Sequence, residues 1–209
     1  YYNYIDDGIT INEPIINTVK NGKIHNIDLI IGSNNDEYSL YFGGIADVDG
    51  WLNAEVSDKQ KNKLTNLLSN IDDPIRKLDL LITAKNFVCP SLLIAKTVNL
   101  SGGNSWVYQF NRVRDDPKAL KYGAFHGAEL PYVFDTHDEW LPTNDIDRKI
   151  TEEVQSYWVQ FSKTGNPNLE QKMWDPYSAQ TNSTFIINEK SYSSSHPSYE
   201  ICKIMEPNW

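Results

Sequence analysis

The sequence predicts an α/β fold with a mostly parallel sheet flanked by helices, and two observations support this class. Short segments rich in apolar, aromatic and β-branched residues have the length of strands, and they occupy residues 27–32, 106–110 and 185–187. Helix patterns with capping signals separate these segments along the chain. Strands that alternate with helices are typical of an α/β fold.

The first of these segments, IDLIIG at residues 27–32, is a short apolar run of the kind that forms a buried parallel strand. Asn26 precedes it, and the polar residues 33–36 follow it as a loop. In an open α/β sheet, ligands and catalytic groups gather beyond the carboxyl ends of the strands. The loop after residue 32 is therefore a predicted place for chemistry.

Capping and breaking residues predict several helices between the strands. Ser57 and Gln60 form a capping box that opens one helix, and Asp72-Asp73-Pro74 ends it and opens another. A third helix is predicted to follow Pro90 and to stop at Gly102-Gly103.

The strongest helix pattern lies between a cap at Asn144 or Asp145 and Gly165, with Pro167 beyond. Its apolar residues recur every three or four positions, so one face should pack on the sheet. These residues are Ile146, Ile150, Val154, Trp158 and Phe161. A Ser-rich loop is predicted at residues 191–195, after the last strand.

The length and charge of the chain exclude several classes of function. Its 209 residues are enough for one domain with a real core, and no linker divides them. The net charge of −9 and the lack of a basic run argue against nucleic acid as a partner. No apolar stretch approaches the roughly 18 to 20 residues that span a bilayer, so no transmembrane segment is expected. Residues 1–9 do not resemble a signal peptide, and any such peptide would lie outside this sequence.

Two cysteines and two sequons bear on the cellular compartment. Cys89 and Cys202 lack the spacing of zinc or thioredoxin-like sites, and on spacing alone two buried free thiols are the plain interpretation. Neither a metal nor a cofactor is predicted. Asn99-Leu100-Ser101 and Asn182-Ser183-Thr184 are candidate glycosylation sites, which favour a secretory route.

Two local patterns carry candidate catalytic residues. Glu37 lies in the polar loop just past the first predicted strand. His126 lies in a loop with Gly123 before it and Gly127 directly after it. A carboxylate upstream of such a histidine can set its tautomer and stabilise its charged form. The alternatives are that Glu37 is solvated and that His126 satisfies backbone carbonyls. The other histidines, His25, His137 and His196, read as surface residues.

The segments around these residues resemble the type-B carboxylesterase and cholinesterase family. GSNNDEYSLYF at residues 32–42 resembles the family segment around the triad acid, and YGAFHGAELPYVF at residues 122–134 closely matches the segment around its histidine. Further similarity lies at FVCP (87–90), VYQFNRV (107–113) and FSKTGNPN (161–168). The order of acid before histidine is also that of the α/β-hydrolases.

This resemblance implies a fold and a set of roles. Residues 1–209 would form the carboxyl-terminal half of an α/β-hydrolase fold, as part of a single domain without its nucleophile-bearing part. Glu37 would be the triad acid, His126 the general base and then the general acid, and Glu129 a glutamate that supports the pair. Tyr38 departs from the glycine that usually follows the acid, which affects the local turn.

The resemblance also implies a disulfide between Cys89 and Cys202. In secreted animal members, a cysteine before a proline pairs with one near the carboxyl terminus, close to a tryptophan. Cys89-Pro90 and Cys202 before Trp209 occupy matching places. Such a bond implies an oxidising compartment, so the protein is expected to be secreted or in the secretory-pathway lumen.

The sequence lacks the nucleophile that this chemistry needs. It contains no Gly-x-Ser-x-Gly elbow and no Gly-Gly-rich oxyanion loop; the nearest partial match, at Ser105, runs into a predicted strand. The chain alone is expected to be inactive, with the missing amino-terminal part of the same hydrolase as its partner and a small carboxylic ester as substrate. The alternatives are a non-catalytic, cholinesterase-like adhesion or binding protein and an inactive truncated product. The residue at the nucleophile elbow discriminates between them.

Overall fold

The computed structural model describes residues 7–24, 26–137, 139–140, 142–170 and 173–206. Within them a four-stranded sheet has the order β1-β2-β3-β4. These strands are β1 (Asp28–Asn34), β2 (Asn104–Phe110), β3 (Ser183–Ile187) and β4 (Tyr192–Ser195). β1, β2 and β3 are parallel, and β4 is antiparallel to β3. The mostly parallel α/β sheet is confirmed. β2 and β3 begin two residues before their predicted starts, and β1 includes Ser33 and Asn34, which were predicted as loop.

The prediction of a loop at residues 191–195 was wrong. Tyr192–Ser195 pairs with β3, and Phe185 lies opposite Ser193. The strand has mostly exposed, polar residues. An edge strand needs no apolar alternation, and polar residues suit its exposed side, so the usual sequence signal is missing.

Helices cover both faces of the sheet. They are α1 (Ile15–Lys20), α2 (Val48–Glu55), α3 (Asp58–Leu67), α4 (Pro74–Thr83), α5 (Cys89–Leu100), α6 (Pro117–Tyr122), α7 (Leu130–Phe134), α8 (Asp145–Thr164) and α9 (Tyr199–Met205). The predicted capping box opens α3, and Asp73 caps α4. Asn144 caps α8, which ends at Gly165 in the left-handed conformation. The predicted starts of these helices are confirmed.

The helix expected to begin at Pro90 begins earlier. A π-helical turn at Ala84–Val88 joins α4 to α5, so residues 74–100 form one continuous helix. Proline lacks the N–H of a regular helical turn, and the π turn just before Pro90 has a different hydrogen-bond pattern that accommodates it. Pro90 therefore marked the π-helical turn inside a continuous helix, and the prediction of a helix start at this position was wrong.

This continuous helix, residues 74–100, is long and apolar enough to cross a membrane by length and composition. More than half of its most apolar window, 56%, is buried inside the fold, as expected for a core helix. α5 packs on β2 and β1. The absence of a transmembrane segment stays a prediction, and the burial of this helix is in line with it.

Two apolar clusters lie on opposite faces of the sheet. Val107 and Trp106 are neighbours on β2, and they join different clusters because successive side chains of a strand point to opposite faces. One cluster contains Leu64, Leu81, Leu92, Cys89 and Cys202, and the other contains Phe110, Tyr132, Ile150, Trp174 and Phe185. The sheet is therefore held between helix layers, which fixes its carboxyl edge in space.

Gly32 on β1 is a close-approach glycine, and we expect Gly32→Ala to destabilise the fold. A Cβ at this position would lie 2.3 Å from the backbone oxygen of Tyr108 and 2.5 Å from its ring. Because the backbone of β2 cannot move freely, the cost should be about 2–3 kcal/mol. Urea denaturation followed by circular dichroism measures it. Gly43→Ala is the matched control, because nothing lies within 4 Å of its Cβ. Equal midpoints for the two variants would contradict the prediction.

Candidate active site

Glu37 and His126 come together at the carboxyl edge of the sheet. Glu37 follows the end of β1, and His126 lies in the loop between α6 and α7. The Nδ1 atom of His126 lies 2.6 Å from Oε2 of Glu37, across 89 positions of sequence. The structure thus places the two predicted residues as a hydrogen-bonded acid and base pair.

The two side chains differ in burial. The Glu37 side chain is 5% exposed and that of His126 is 52% exposed. Burial raises the pKa of Glu37, while the Asn34 N–H, 2.6 Å from Oε1, and His126 oppose that rise. Since Nδ1 faces the buried carboxylate, Nε2 is the ring nitrogen left to exchange protons with a reactant. The ring of Phe87 packs beside His126, with centroids 5.3 Å apart.

Glu129 is linked to Glu37 through Asn34. The side-chain amide of Asn34 donates to Oε2 of Glu129 and to the carbonyl oxygen of Phe125, the latter at 2.7 Å. Asn34 thus contacts both glutamates, through its backbone N–H and its side chain. The charge of Glu129 contributes to the raised pKa of Glu37. Glu129 therefore lies close to Glu37, and its supporting role stays a prediction.

Sequence reasoning missed three charged residues next to this pair: Asp36, Arg76 and Asp79. Arg76 forms ion pairs with both aspartates. Asp79 is 2% exposed and lies among the buried apolar residues of α4. A carboxylate on the apolar face of a helix was a usable signal, because a buried charge needs a partner.

The turn after Glu37 depends on Asp79. The N–H of Tyr38 donates to Oδ1 of Asp79 at 2.8 Å. Tyr38 has φ −104°, so this turn does not need the glycine usually found in the family. Burial, with a further contribution from the charge of Asp36, raises the pKa of Asp79 to about 6.

We expect Asp79 to make stability fall as pH rises. Its pKa is 3.8 in the unfolded reference and about 6 in the fold, so between these values the folded state binds the extra proton. Across this window, the wild type should lose about 2–3 kcal/mol of stability relative to Asp79→Asn, which has no such proton. Urea denaturation at both ends of the window measures it. Asp175→Asn, at an exposed position, is the control; parallel pH profiles for wild type and Asp79→Asn would refute the prediction.

The two remaining histidines that the structure describes do not follow the sequence-based expectation. The prediction of a surface position was wrong for His196, which is 4% exposed and accepts a hydrogen bond from the N–H of Ser198. It was also wrong for His137, which is partly buried and contacts Arg114 and Thr151. Burial lowers the pKa of His196 to about 3. His25 lies outside the described residues.

Ser105 is placed away from Glu37. It lies near the amino end of β2, whereas Glu37 follows the carboxyl end of the parallel strand β1. Its side chain is fully buried, and its hydroxyl oxygen lies 3.0 Å from Ala95 O and 2.7 Å from Asn99 Oδ1, either of which can accept its single proton. The rejection of Ser105 as a nucleophile agrees with this position.

The predicted disulfide is confirmed. Cys89 and Cys202 are bonded, with Cα atoms 5.3 Å apart, and the bond joins the start of α5 to α9. Trp209, used to match the family pattern, lies outside the described residues. Among the residues that the structure covers, no group of three or more His, Cys, Asp and Glu side chains is placed to hold a metal.

The geometry disfavours glycosylation of the folded chain at both candidate asparagines. Asn182 is 6% exposed, and its Oδ1 accepts from the hydroxyl of Tyr177 at 3.3 Å. The amide nitrogen of Asn99 donates to the carbonyl of Tyr177 at 2.8 Å. A bulky glycan needs an accessible amide. The sequons alone did not reveal this burial.

Comparison with known proteins extends these observations. The profile described as "Carboxylesterase family" matches residues 52–204, a span that includes His126 and Glu129. The para-nitrobenzyl esterase of Bacillus subtilis (strain 168) is 28% identical over 207 residues, which cover 93% of this chain and 41% of that protein. Acetylcholinesterase 1 of Caenorhabditis briggsae is 24% identical over 215 residues, which cover 83% of this chain and 34% of that protein. The chain thus spans less than half the length of these relatives.

Solved structures give the same fold. A solved para-nitrobenzyl esterase structure superposes on this chain with a TM-score of 0.82 at 24% identity. The superposition covers 100% of this chain and 44% of the esterase chain. At this identity the structural similarity shows the fold alone, and the assignment of the chain to a family rests on the match to the family profile. The chain therefore belongs to the carboxylesterase family, among the type-B carboxylesterases and cholinesterases of the α/β-hydrolase superfamily.

Proposed function

We propose that this chain supplies the acid and the base for carboxylic ester hydrolysis through a serine acyl-enzyme. The observation that carries the proposal is the contact between His126 and Glu37: a half-exposed imidazole whose Nδ1 lies 2.6 Å from a buried carboxylate. This is the arrangement of base and orienting acid in a Ser-His-acid triad. Membership of the carboxylesterase family supports the same reaction class.

His126 moves the protons in this mechanism. Its Nε2 takes the proton of a serine hydroxyl as that oxygen attacks the ester carbonyl, and the imidazolium then gives the proton to the departing alcohol. In the second half, Nε2 takes a proton from water, which attacks the acyl-enzyme, and returns it to the serine oxygen. The product is a carboxylic acid, and the serine is regenerated.

Glu37 keeps the imidazole ready for both halves. By accepting a hydrogen bond from Nδ1–H it holds the tautomer whose Nε2 is free, and its charge stabilises the imidazolium. The Asn34 N–H occupies its other oxygen, so the carboxylate cannot turn away from His126. Glu129, bonded to the Asn34 side chain, helps to hold this arrangement.

The proposed partner is the amino-terminal part of the same hydrolase, which would bring the serine and the oxyanion donors. The position of β1 supports a partner here. Among the described strands, β1 lies at the end of the strand order, although Leu29, Ile30 and Ile31 have the apolar character of an internal parallel strand.

The proposal includes inactivity of this chain alone and a secretory location. The 209 residues contain no Gly-x-Ser-x-Gly elbow, and the oxyanion hole and nucleophile supply most of the rate enhancement in acyl transfer. The Cys89–Cys202 bond supports an oxidising compartment. The alternative of a non-catalytic relative predicts a residue other than serine at the elbow of the partner.

Mixing the chain with the separately expressed amino-terminal part tests the function. Each part alone should be inactive on p-nitrophenyl acetate, and the mixture should hydrolyse it with an initial burst of p-nitrophenol from the acyl-enzyme step. Size-exclusion chromatography shows whether the complex has formed. A complex that forms and does not hydrolyse the ester would overturn the proposal.

A further inference from the structure

Both chain neighbours of Glu37 are tied to the same arginine. The carboxylate of Asp36 forms an ion pair with Arg76 directly. The N–H of Tyr38 is held by Oδ1 of Asp79 at 2.8 Å, and Oδ2 of Asp79 lies 3.2 Å from Arg76. Glu37 therefore sits between two positions that α4 holds through Arg76 and Asp79.

Asp36 also fastens the segment that carries His126. Its backbone N–H donates to the carbonyl of Ala124 at 3.0 Å, and its Oδ2 accepts the N–H of Ala124 at 2.8 Å. Gly123 is needed beside this contact, because a Cβ there would lie 2.4 Å from Oδ2 and its φ is +67°. One carboxylate thus joins the acid segment to a residue two positions before the base.

Arg76 is the cation that makes this arrangement possible. The side chains of Asp36 and Asp79 are 13% and 3% exposed, whereas that of Arg76 is 33% exposed. Two poorly solvated carboxylates repel each other unless a positive charge lies between them. The guanidinium suits this place because its fork of donors can bind both carboxylates at once.

We propose that Arg76 is a positioning residue that, through Asp36 and Asp79, sets the Glu37 carboxylate against Nδ1 of His126. Among the described residues, Arg76 pairs with Asp36 and Asp79 and forms no hydrogen bond or ion pair with Glu37 or His126, so it acts through the backbone on both sides of the acid. Its effect on the geometry does not need an active enzyme; its effect on catalysis rests on the proposed function.

The histidine tautomer tests the geometry in the chain as it exists. With ¹⁵N-histidine labelling, long-range correlation from the carbon-bound ring protons identifies which nitrogen of neutral His126 carries the proton. The wild type should hold the Nδ1–H form, because Glu37 accepts that proton. Arg76→Gln should shift His126 toward the Nε2–H form of a free histidine, while circular dichroism shows the same secondary structure.

Two further variants keep this test decisive. Arg148→Gln is the matched control, since Arg148 pairs with the exposed Asp135 on another surface and should leave the His126 tautomer unchanged. Arg76→Lys keeps the charge without the fork and should restore part of the Nδ1–H form, even if Arg76→Gln folds poorly. The proposal would be overturned if Arg76→Gln keeps the wild-type populations of the two His126 tautomers. If Arg76→Gln does not fold, wild-type populations in Arg76→Lys would overturn it. A wild type in the Nε2–H form would overturn it as well.

In the chain combined with its amino-terminal part, the same change has a kinetic signature. Arg76→Gln should lower kcat about 10–100-fold with little change in KM, since misplacement of the base affects the transition state more than substrate binding. An unchanged kcat would contradict the catalytic consequence. If the wild-type complex is itself inactive, the proposed function fails, while the tautomer experiment still decides the role of Arg76.

Discussion

Replacement of His126 by alanine is expected to reduce kcat for ester hydrolysis by about 10⁴–10⁶-fold in the chain combined with its amino-terminal part. In the proposed mechanism the variant lacks the group that takes the serine proton and gives it to the leaving alcohol, so attack would proceed without a general base. Single-turnover hydrolysis of p-nitrophenyl acetate measures the acylation step. The His126 side chain is about half exposed, so its removal costs little packing; the loss of its hydrogen bond to the buried Glu37 carboxylate should lower the free energy of unfolding by about 1–3 kcal/mol.

Glu37→Gln probes the orienting acid in the same assay. The amide can donate toward Nδ1 and so stabilise the wrong tautomer, and the expected loss in kcat is about 10⁴-fold. Glu189→Gln, at an exposed position, carries the same charge change and should keep wild-type activity. Two results together would contradict the proposed roles. The first is a His126→Ala complex whose kcat lies within tenfold of the wild-type value, and the second is equal kcat values for Glu37→Gln and Glu189→Gln.

Loss of the disulfide is expected to have the largest effect on stability. Replacing both Cys89 and Cys202 by alanine should lower the free energy of unfolding by about 4–5 kcal/mol. The bond closes a sequence separation of 113 residues, so its removal gives the unfolded chain much more freedom. The free energy of unfolding in urea, measured for the oxidised wild type and the double variant, gives the difference.

Reduced wild-type protein separates the cross-link from the packing of the two sulfurs. Both cysteines are buried in one apolar cluster, so alanine also leaves a small cavity, which reduction does not. The reduced wild type should therefore be destabilised by most of the same amount. Amide hydrogen exchange should become faster in α9, because reduction removes its covalent link to α5. The hydrogen bonds from the Gln60 side chain to the carbonyls of Ile204 and Met205 remain. A reduced protein as stable as the oxidised one would refute the prediction.

Local sequence signals were enough where one segment carries its own structural information. Asn144 and Gly165 bracket α8 because a side-chain cap satisfies its first N–H groups and a left-handed residue ends its last turn. The short apolar run at β1 predicts a strand, and the structure places one at Asp28–Asn34. By contrast, the polar edge strand at Tyr192–Ser195 has no such pattern, and its pairing with β3 depends on what lies beside it.

The proposed catalytic pair was predicted only in part. The residues around Glu37 and His126 mark each of them separately as a candidate, through their likeness to a known family. Their hydrogen bond spans 89 positions and depends on the fold, which pairs Asp36 with the segment at Ala124 and Phe125 beyond the carboxyl ends of the strands. The disulfide between Cys89 and Cys202 is similar: the residues alone allowed free thiols, and the fold places the two sulfurs together.

The sequence by itself therefore determined the fold class, the three parallel strands and the helices with clear caps, and it marked Glu37 and His126 as the candidate acid and base. Only the tertiary structure brought Arg76 and Asp79 beneath the turn that carries Glu37, buried His196 and closed off the amide of Asn182. The physical reason is range. Helix caps and apolar periodicity act over a few residues, whereas burial and ion pairing depend on which distant segments share a face of the sheet.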